Sequence, residues 1–169
     1  MKNKPNNNIT YKPVPYGGGE DGAVEAKVDM VNHPPHYKHP SGLECIRFTR
    51  DAYYNVGNAF KYIFRAGNKG NKLEDYKKAL FYLNDEKERR NPYFERLADS
   101  IKSKDFNFIF DLGKLVGVEE QIDPKKANLL ELVGKCLLTE LYPLYAKTSI
   151  SKLEEIIKNM ENEKWTHKN

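Results

Sequence analysis

The chain has little cysteine and no long apolar segment. Its two cysteines, Cys45 and Cys136, lie far apart and match no Cys/His spacing of a zinc site. This pattern excludes a disulfide framework, and we expect both to be buried thiols. No apolar run is long enough to cross a bilayer, and Met1 to Asn8 contains lysines with no apolar stretch behind them. We therefore expect a cytoplasmic protein with no membrane passage and no secretory signal.

The common nucleotide-binding signatures are also missing. No GxxxxGK[ST] phosphate loop, GxGxxG turn or HExxH motif occurs in the sequence. Any phosphate chemistry must therefore use another arrangement of residues. No known DNA-reading motif occurs either, so we do not expect a nucleic-acid partner.

Positive charge is concentrated in the middle of the chain, although the formal net charge is only +4. Residues 31–90 contain twelve Lys and Arg against seven Asp and Glu. Residues 1–30 contain four of each, and residues 91–169 contain twelve against thirteen. A local excess of this size attracts a nucleotide, a nucleic acid or an acidic protein surface, and charge alone does not separate these ligands.

Apolar periodicity predicts an all-α fold. Residues 1–30 are rich in Asn, Pro and Gly without an apolar period, so we expect a flexible or extended N-terminal tail. Residues 31–91 are predicted to form a compact helical module, and residues 92–169 an additional C-terminal helical region. No strand-like alternation is long enough to predict a sheet.

Three helices are predicted in the compact module. Ser41 and Glu44 have capping-box spacing, which predicts that the first helix begins there. Gly67 is the expected stop of the second helix, and the glycine-rich turn 67–71 is short enough to force an antiparallel hairpin. The predicted helices cover residues 41–51, 52–66 and 73–90.

Four more helices are predicted beyond the module. Asp123 is the expected N-cap of one helix, with Pro124 at its first position. Pro143 is expected to kink or end its helix near Leu141. Leucines between 129 and 141 surround their helix too widely for one contact face, which predicts a central position and a homo-oligomer. The predicted helices cover residues 93–101, 106–116, 127–145 and 150–160.

Three blocks of residues in the module form a distinctive pattern. They read HPPHY at 33–37, GNxxKYxxRAGxKG at 57–70 and EDYKKAxxYL at 74–83. In this order and spacing they resemble the DUF3310 family of phage proteins, over about residues 31–90. The resemblance implies a nucleotide-binding protein, since the family includes a small nucleotide kinase of lytic phages. It further implies a nucleoside triphosphate donor, Mg²⁺ and a monophosphate acceptor.

The second helix and the turn after it contain a candidate phosphate site. Lys61 and Arg65 lie one helical turn apart and Lys69 follows the helix end, so three cations can converge on one polyphosphate. The alternative is a solvated basic face without a ligand. Tyrosines of the module could stack on a base, although core packing is their alternative role. The predicted nucleotide-binding residues are Asn58, Lys61, Tyr62, Arg65, Lys69 and Lys78.

Metal-binding and catalytic groups are predicted on either side of this site. Glu74 and Asp75 begin the third helix, and Mg²⁺ commonly uses one or two carboxylates together with substrate phosphates. Helix-dipole interactions or interhelical salt bridges are the alternatives for these acids. The predicted catalytic residues are His33, His36, Tyr37 and Arg65, with the histidine loop as base or acceptor site and packing as its alternative role.

Several functions are compatible with these residues. The first is a kinase-like phosphotransferase acting on deoxynucleoside monophosphates, and the second is a non-catalytic binder that sequesters a nucleotide or a signalling nucleotide. A host-takeover protein that binds a bacterial partner is a third. A helical pyrophosphohydrolase of the MazG type is disfavoured, because such enzymes need several carboxylates across two helices and the second helix has Lys61 and Arg65 instead.

Overall fold

Residues 29–89, 106–138 and 142–166 are described by the structure, a computed structural model. All regular structure within these ranges is helical, which confirms the all-α prediction. Residues 1–28 of the tail that was predicted over residues 1–30 lie outside them, as does the helix predicted over residues 93–101. A 3₁₀ turn, Pro35–Tyr37, precedes six helices: α1 (Ile46–Thr49), α2 (Tyr54–Arg65), α3 (Lys72–Arg89), α4 (Phe106–Glu120), α5 (Pro124–Cys136) and α6 (Tyr142–Thr166).

Helices α2 and α3 pack against each other as the predicted hairpin. Gly67 and Gly70 in the connecting turn have φ angles of 86° and 72°, positive values that other residues rarely adopt. The Asn71 side chain then accepts a hydrogen bond from the Leu73 amide at 3.0 Å, at the start of α3. The turn chemistry is therefore local, which is why the hairpin could be predicted from sequence.

The C-terminal helices pack on this hairpin and share its core. Helix α5 contacts α2, α4 and α6, and α6 also packs against α3. Leu129, Leu130 and Val133 of α5 are fully buried, together with Phe60 of α2 and Leu153 of α6. The predicted central position of this helix in a core is confirmed, and both cysteines are buried free thiols as expected.

The predicted start of the first helix is wrong. Helix α1 begins at Ile46 rather than Ser41, because neither side chain of the supposed capping box caps a helix. Ser41 Oγ lies 2.9 Å from Nδ1 of His39, and Glu44 pairs with His33. Tertiary and loop contacts thus outweigh the local capping pattern.

The prediction that Pro143 kinks or ends its helix near Leu141 is also wrong, because Pro143 stands at the start of a helix. Helix α5 ends at Cys136, and Pro143 is the second residue of α6, which continues unbroken to Thr166. Proline is tolerated there because amides in the first helical turn have no intrahelical partner. The Asp123 cap is confirmed, since its side chain accepts a hydrogen bond from the Lys126 amide. None of the helices in the described ranges combines the length and apolar character needed to cross a membrane.

Candidate functional site

The α2–α3 hairpin brings three cations around one tyrosine ring. Nζ of Lys61 lies 5.0 Å from the centroid of the Tyr62 ring, and Cζ of Arg65 lies 4.6 Å from it. Nζ of Lys78, from α3, lies 5.8 Å from the same centroid. Four of the predicted nucleotide-binding residues are therefore neighbours, and the hairpin turn is what joins them.

Asn58 orients one of these cations. Its Oδ1 accepts a hydrogen bond from Lys61 Nζ at 2.5 Å, and its Nδ2 donates to the Tyr54 carbonyl oxygen at 2.8 Å. The Lys61 ammonium is thereby held along α2 and beside the Tyr62 ring. Asn58 therefore positions Lys61, and its predicted direct contact with a nucleotide stays a prediction.

Arg65 is held across the hairpin by two partners. Its Nη2 donates to Asp75 Oδ1 at 2.8 Å, and its Nη1 donates to the Tyr37 hydroxyl at 3.4 Å. The Arg65 side chain is 13% exposed and that of Asp75 is 3% exposed. Burial lowers the pKa of Arg65, but the hydrogen bonds to Asp75 and Tyr37 outweigh it and raise that pKa above its usual value. The guanidinium is therefore charged and fixed in place.

Two buried atoms of this pair remain without a protein partner in the described part of the chain. They are Nε of Arg65 and Oδ2 of Asp75. A buried polar atom without a hydrogen bond is costly. Neither atom is accessible as the pair stands, so a ligand would reach them only after a movement of the surrounding side chains.

The histidine loop lies beside Arg65. The rings of His36 and Tyr37 are in contact, with their centroids 4.3 Å apart. Burial lowers the pKa of His36 below its usual 6.5, and the positive charges of Lys69 and Arg65 lower it further, although Asp75 opposes them. His36 is therefore neutral at pH 7, and a neutral imidazole can accept a proton or a hydrogen bond.

His33 is placed differently from the other predicted catalytic residues. Its Nδ1 lies 2.9 Å from Glu44 Oε1, and its side chain is 56% exposed. It is thus part of a surface pair on the loop, whereas His36, Tyr37 and Arg65 lie together. The loop sequence alone could not separate the two histidines.

The predicted metal ligands are engaged by different cations. Glu74 Oε1 is exposed and accepts a hydrogen bond from Lys78 at 2.5 Å, whereas Asp75 is buried against Arg65. The described residues contain no cluster of three or more His, Cys, Asp or Glu side chains suited to a metal ion. The two carboxylates are thus paired with different cations, and Oδ2 of Asp75 is a buried oxygen without a hydrogen-bond partner in the part of the chain that the structure describes. The metal role stays a prediction, which a magnesium titration of Asp75→Asn tests.

A buried polar cluster was missed by sequence reasoning. Nε2 of His39 lies 2.6 Å from Glu119 Oε2, and Lys126 Nζ lies 3.4 Å from Glu119 Oε1. The Ser41 amide donates to Nδ1 of His39 at 3.1 Å, so the proton of a neutral ring is on Nε2 and points to Glu119. His39 and Glu119 are 80 residues apart, and no local pattern links them.

Comparison with known proteins finds a family model that matches part of the chain. Residues 31–84 match the family model described as "Protein of unknown function (DUF3310)". The resemblance is confirmed for this segment. The DUF3310 match includes the histidine loop, α1, α2 and most of α3, and thus all the residues predicted for the site. No curated protein and no solved structure matches the chain.

Proposed function

We propose that this protein is a phage-type cytoplasmic nucleotide kinase. It binds a nucleoside triphosphate on the α2–α3 hairpin and transfers a phosphoryl group to a deoxynucleoside monophosphate. The observation that supports this proposal is the convergence of Lys61, Arg65 and Lys78 on the ring of Tyr62. Three cations against the carboxylates of Glu74 and Asp75 leave a net positive charge that would attract a polyphosphate.

Preorganisation supports a role for Arg65 in stabilising charge. Its guanidinium is fixed by Asp75 and Tyr37 before any ligand arrives, so little reorganisation is needed when charge develops on a transferring phosphoryl group. Lys61 is similarly oriented by Asn58. Lys78 is bonded to the exposed Glu74 and can exchange this weak surface pair for a phosphate.

His36 supplies a candidate proton acceptor beside these cations. In the proposed reaction, the bond between the γ-phosphorus and its bridging oxygen breaks as an oxygen of the acceptor monophosphate bonds to that phosphorus. A proton on the acceptor phosphate passes to the neutral imidazole of His36. Mg²⁺, when bound to the triphosphate, neutralises part of its charge.

A non-catalytic nucleotide binder is the second candidate function. It is favoured by the ion pair between Arg65 and Asp75, because the carboxylate that a metal-assisted transfer would use is already engaged. Such a protein would hold its ligand with the same cations and release no product.

A labelled-phosphate assay separates the two candidates. Purified protein is incubated with radiolabelled ATP, Mg²⁺ and each deoxynucleoside monophosphate, and labelled diphosphate is the product expected of the kinase. Tight ATP binding without product selects the binder. Lys61→Ala is expected to weaken ATP binding by about 1 to 3 kcal/mol, the contribution of a charged hydrogen bond. Lys77→Ala is the matched control, because Lys77 pairs with Glu161 of α6.

Folded protein that neither binds nucleotides in calorimetry nor yields a diphosphate would contradict both functions. A thermal-shift screen across nucleotides provides the independent check, since a ligand selective for the native state raises the melting temperature.

A further inference from the structure

The cations of the hairpin lie at one end of a longer row of side chains. Along α2, Tyr54, Asn58, Tyr62 and Arg65 recur every three or four residues and so follow one helical face. From Tyr54 to Arg65 the helix rises about 16 Å. Helix α3 runs antiparallel beside it, so its later residues lie next to the beginning of α2.

The other end of this row is aromatic. The rings of Tyr62 and Tyr82 are stacked, with centroids 5.8 Å apart and planes 15° apart. Tyr54 and Phe81 meet the Tyr82 ring edge-on, with centroid distances of 6.0 Å and 5.4 Å. The four rings therefore form one continuous cluster that begins at the cations.

Core packing does not account for the two outer rings. Tyr54 is 72% exposed and Phe81 is 65% exposed, although Tyr62 and Tyr82 beneath them are partly buried. Exposed aromatic surface next to a cationic site is a feature of ligand-binding faces, since it combines an apolar platform with charge.

Charge sets the direction in which a ligand would lie. Beyond Tyr82, the Asp85 carboxylate accepts a hydrogen bond from Asn55 Nδ2 at 2.6 Å and lies near Arg89. This carboxylate is offset by Arg89, whereas Lys61, Arg65 and Lys78 at the other end outnumber Glu74 and Asp75, so the net positive charge lies at the Arg65 end. Phosphates therefore fit the Arg65 end, and a planar base fits the Tyr54 end.

We propose that Tyr54 and Phe81, supported by Tyr82, form a base-binding subsite, and that the ligand is a nucleoside triphosphate lying along the hairpin. This inference rests on the proposed nucleotide-binding function and adds the position of the base. Stacking tolerates every nucleobase, because each has a π-face. The site thus selects a nucleoside polyphosphate by its length and charge more than by the identity of its base.

Two probes test the subsite separately from the phosphate site. Isothermal titration calorimetry of the full chain measures the affinity for ATP and for inorganic tripolyphosphate. Tyr54→Ala and Phe81→Ala are each expected to weaken ATP binding by at least about fivefold, the lower end of the contribution of one stacked base. Their affinity for tripolyphosphate stays at the wild-type value. Tyr54→Phe retains the ring and is expected to bind ATP like the wild type.

Leu144→Ala is the matched control. Leu144 is 66% exposed, close to the 65% of Phe81, but it lies on α6 and outside the aromatic row. Lys61→Ala is expected to weaken the binding of both probes. Circular dichroism establishes that each variant is folded.

Three results would overturn the subsite. If wild-type protein binds tripolyphosphate as tightly as ATP, the base makes no contact and the phosphate site alone stands. If a short single-stranded DNA binds more tightly than ATP and depends on Tyr54, the ligand is an oligonucleotide instead. If the wild type binds neither ATP nor tripolyphosphate, the nucleotide-binding function itself fails, and the subsite fails with it.

Discussion

At the scale of single residues, Arg65 and Asp75 join the fold to the candidate site. Each side chain is largely buried, and each contributes one atom that lacks a protein partner in the described ranges. A substitution at either position is therefore expected to change stability as well as the proposed ligand binding. Effects on activity can be interpreted only when the two are measured together.

Arg65→Ala is expected to lower the free energy of unfolding by about 3 kcal/mol, because it leaves the Asp75 carboxylate buried without its partner. Urea denaturation measures this loss. The effect should be much smaller in an Asp75→Leu background, where no carboxylate is left unpaired. Equal losses in the two backgrounds would show that the pair is not coupled. Lys61→Ala, on the partly exposed face, serves as the stability control.

His36 gives a prediction about pH. Its folded-state pKa lies below the usual 6.5, first because of burial and then because of Lys69 and Arg65. The unfolded chain therefore binds a proton at a higher pH than the folded protein does. The stability contribution of neutral His36 is present above about pH 6.5 and is lost as the pH falls through the lowered value.

His36→Gln is accordingly expected to reduce the loss of stability between pH 7 and pH 5, since glutamine takes up no proton. Thermal melts across this range measure the slope for each protein. The slope of His33→Gln provides the comparison, because His33 belongs to the exposed pair with Glu44. If the slopes of wild type and His36→Gln coincide, the proposed environment of His36 is wrong.

At the scale of elements, α4 and α5 approach closely at one glycine. A Cβ atom added to Gly134 of α5 would lie 2.6 Å and 2.8 Å from the two Cδ atoms of Leu112. Leu112 is itself buried, so its side chain has little room to move. The spacing of the two helices thus depends on this missing side chain.

Gly134→Ala is expected to destabilise the protein by about 1 kcal/mol or more, because overpacking outweighs the gain in helix propensity. Gly113→Ala and Gly117→Ala are matched controls on α4, where an added Cβ meets nothing within 4 Å. These two should be neutral or stabilising by up to about 1 kcal/mol. Chemical denaturation measures all three, and a stabilised Gly134→Ala would refute the close contact.

At the scale of the whole molecule, the DUF3310 segment does not contain its own complete core. Its buried residues pack with those of α4, α5 and α6 in one cluster. Glu119 of α4 also binds His39 of the segment in the interior. Removal of the C-terminal helices would expose the apolar cluster and leave a buried histidine without its partner.

A fragment of residues 29–91 is therefore expected to lose most of its helicity, which circular dichroism measures against the full chain. Small domains bury only a small share of their surface, so the apolar contacts that remain in the fragment cannot offset those lost with the C-terminal helices. A fragment that stays helical and monomeric would show that the segment folds alone. Glu119→Gln in the full chain retains the shape of the side chain and tests the contribution of its charge.

The homo-oligomer inferred from the sequence stays a prediction. Ile109 and Phe110 of α4 are 53% and 65% exposed, which leaves apolar surface available for a second copy. Light scattering at micromolar concentration is expected to give a mass above the 19.6 kDa of one chain. A mass equal to one chain would contradict the prediction.

The helical class, the α2–α3 hairpin and the Asp123 cap could all be predicted from the sequence. These features depend on local causes: a 3.6-residue apolar period, glycines that adopt positive φ, and a side chain that caps the amide three residues later. The alignment of Asn58, Lys61 and Arg65 was equally local. The three blocks that carry the family resemblance are likewise contiguous stretches of sequence.

Which of these polar residues are buried, and what they contact, depends on the packing of the helices in the folded molecule. The packing places Asp75 against Arg65 and joins His39 to Glu119 across 80 residues of sequence. It also leaves Ser41 in contact with His39 instead of capping a helix. Tyr54 and Phe81 are left exposed at the opposite end of the row from the cations, although their residue types suit a core equally well. These outcomes depend on which helix packs on which face, and the free energy of that packing is shared by residues far apart in the chain.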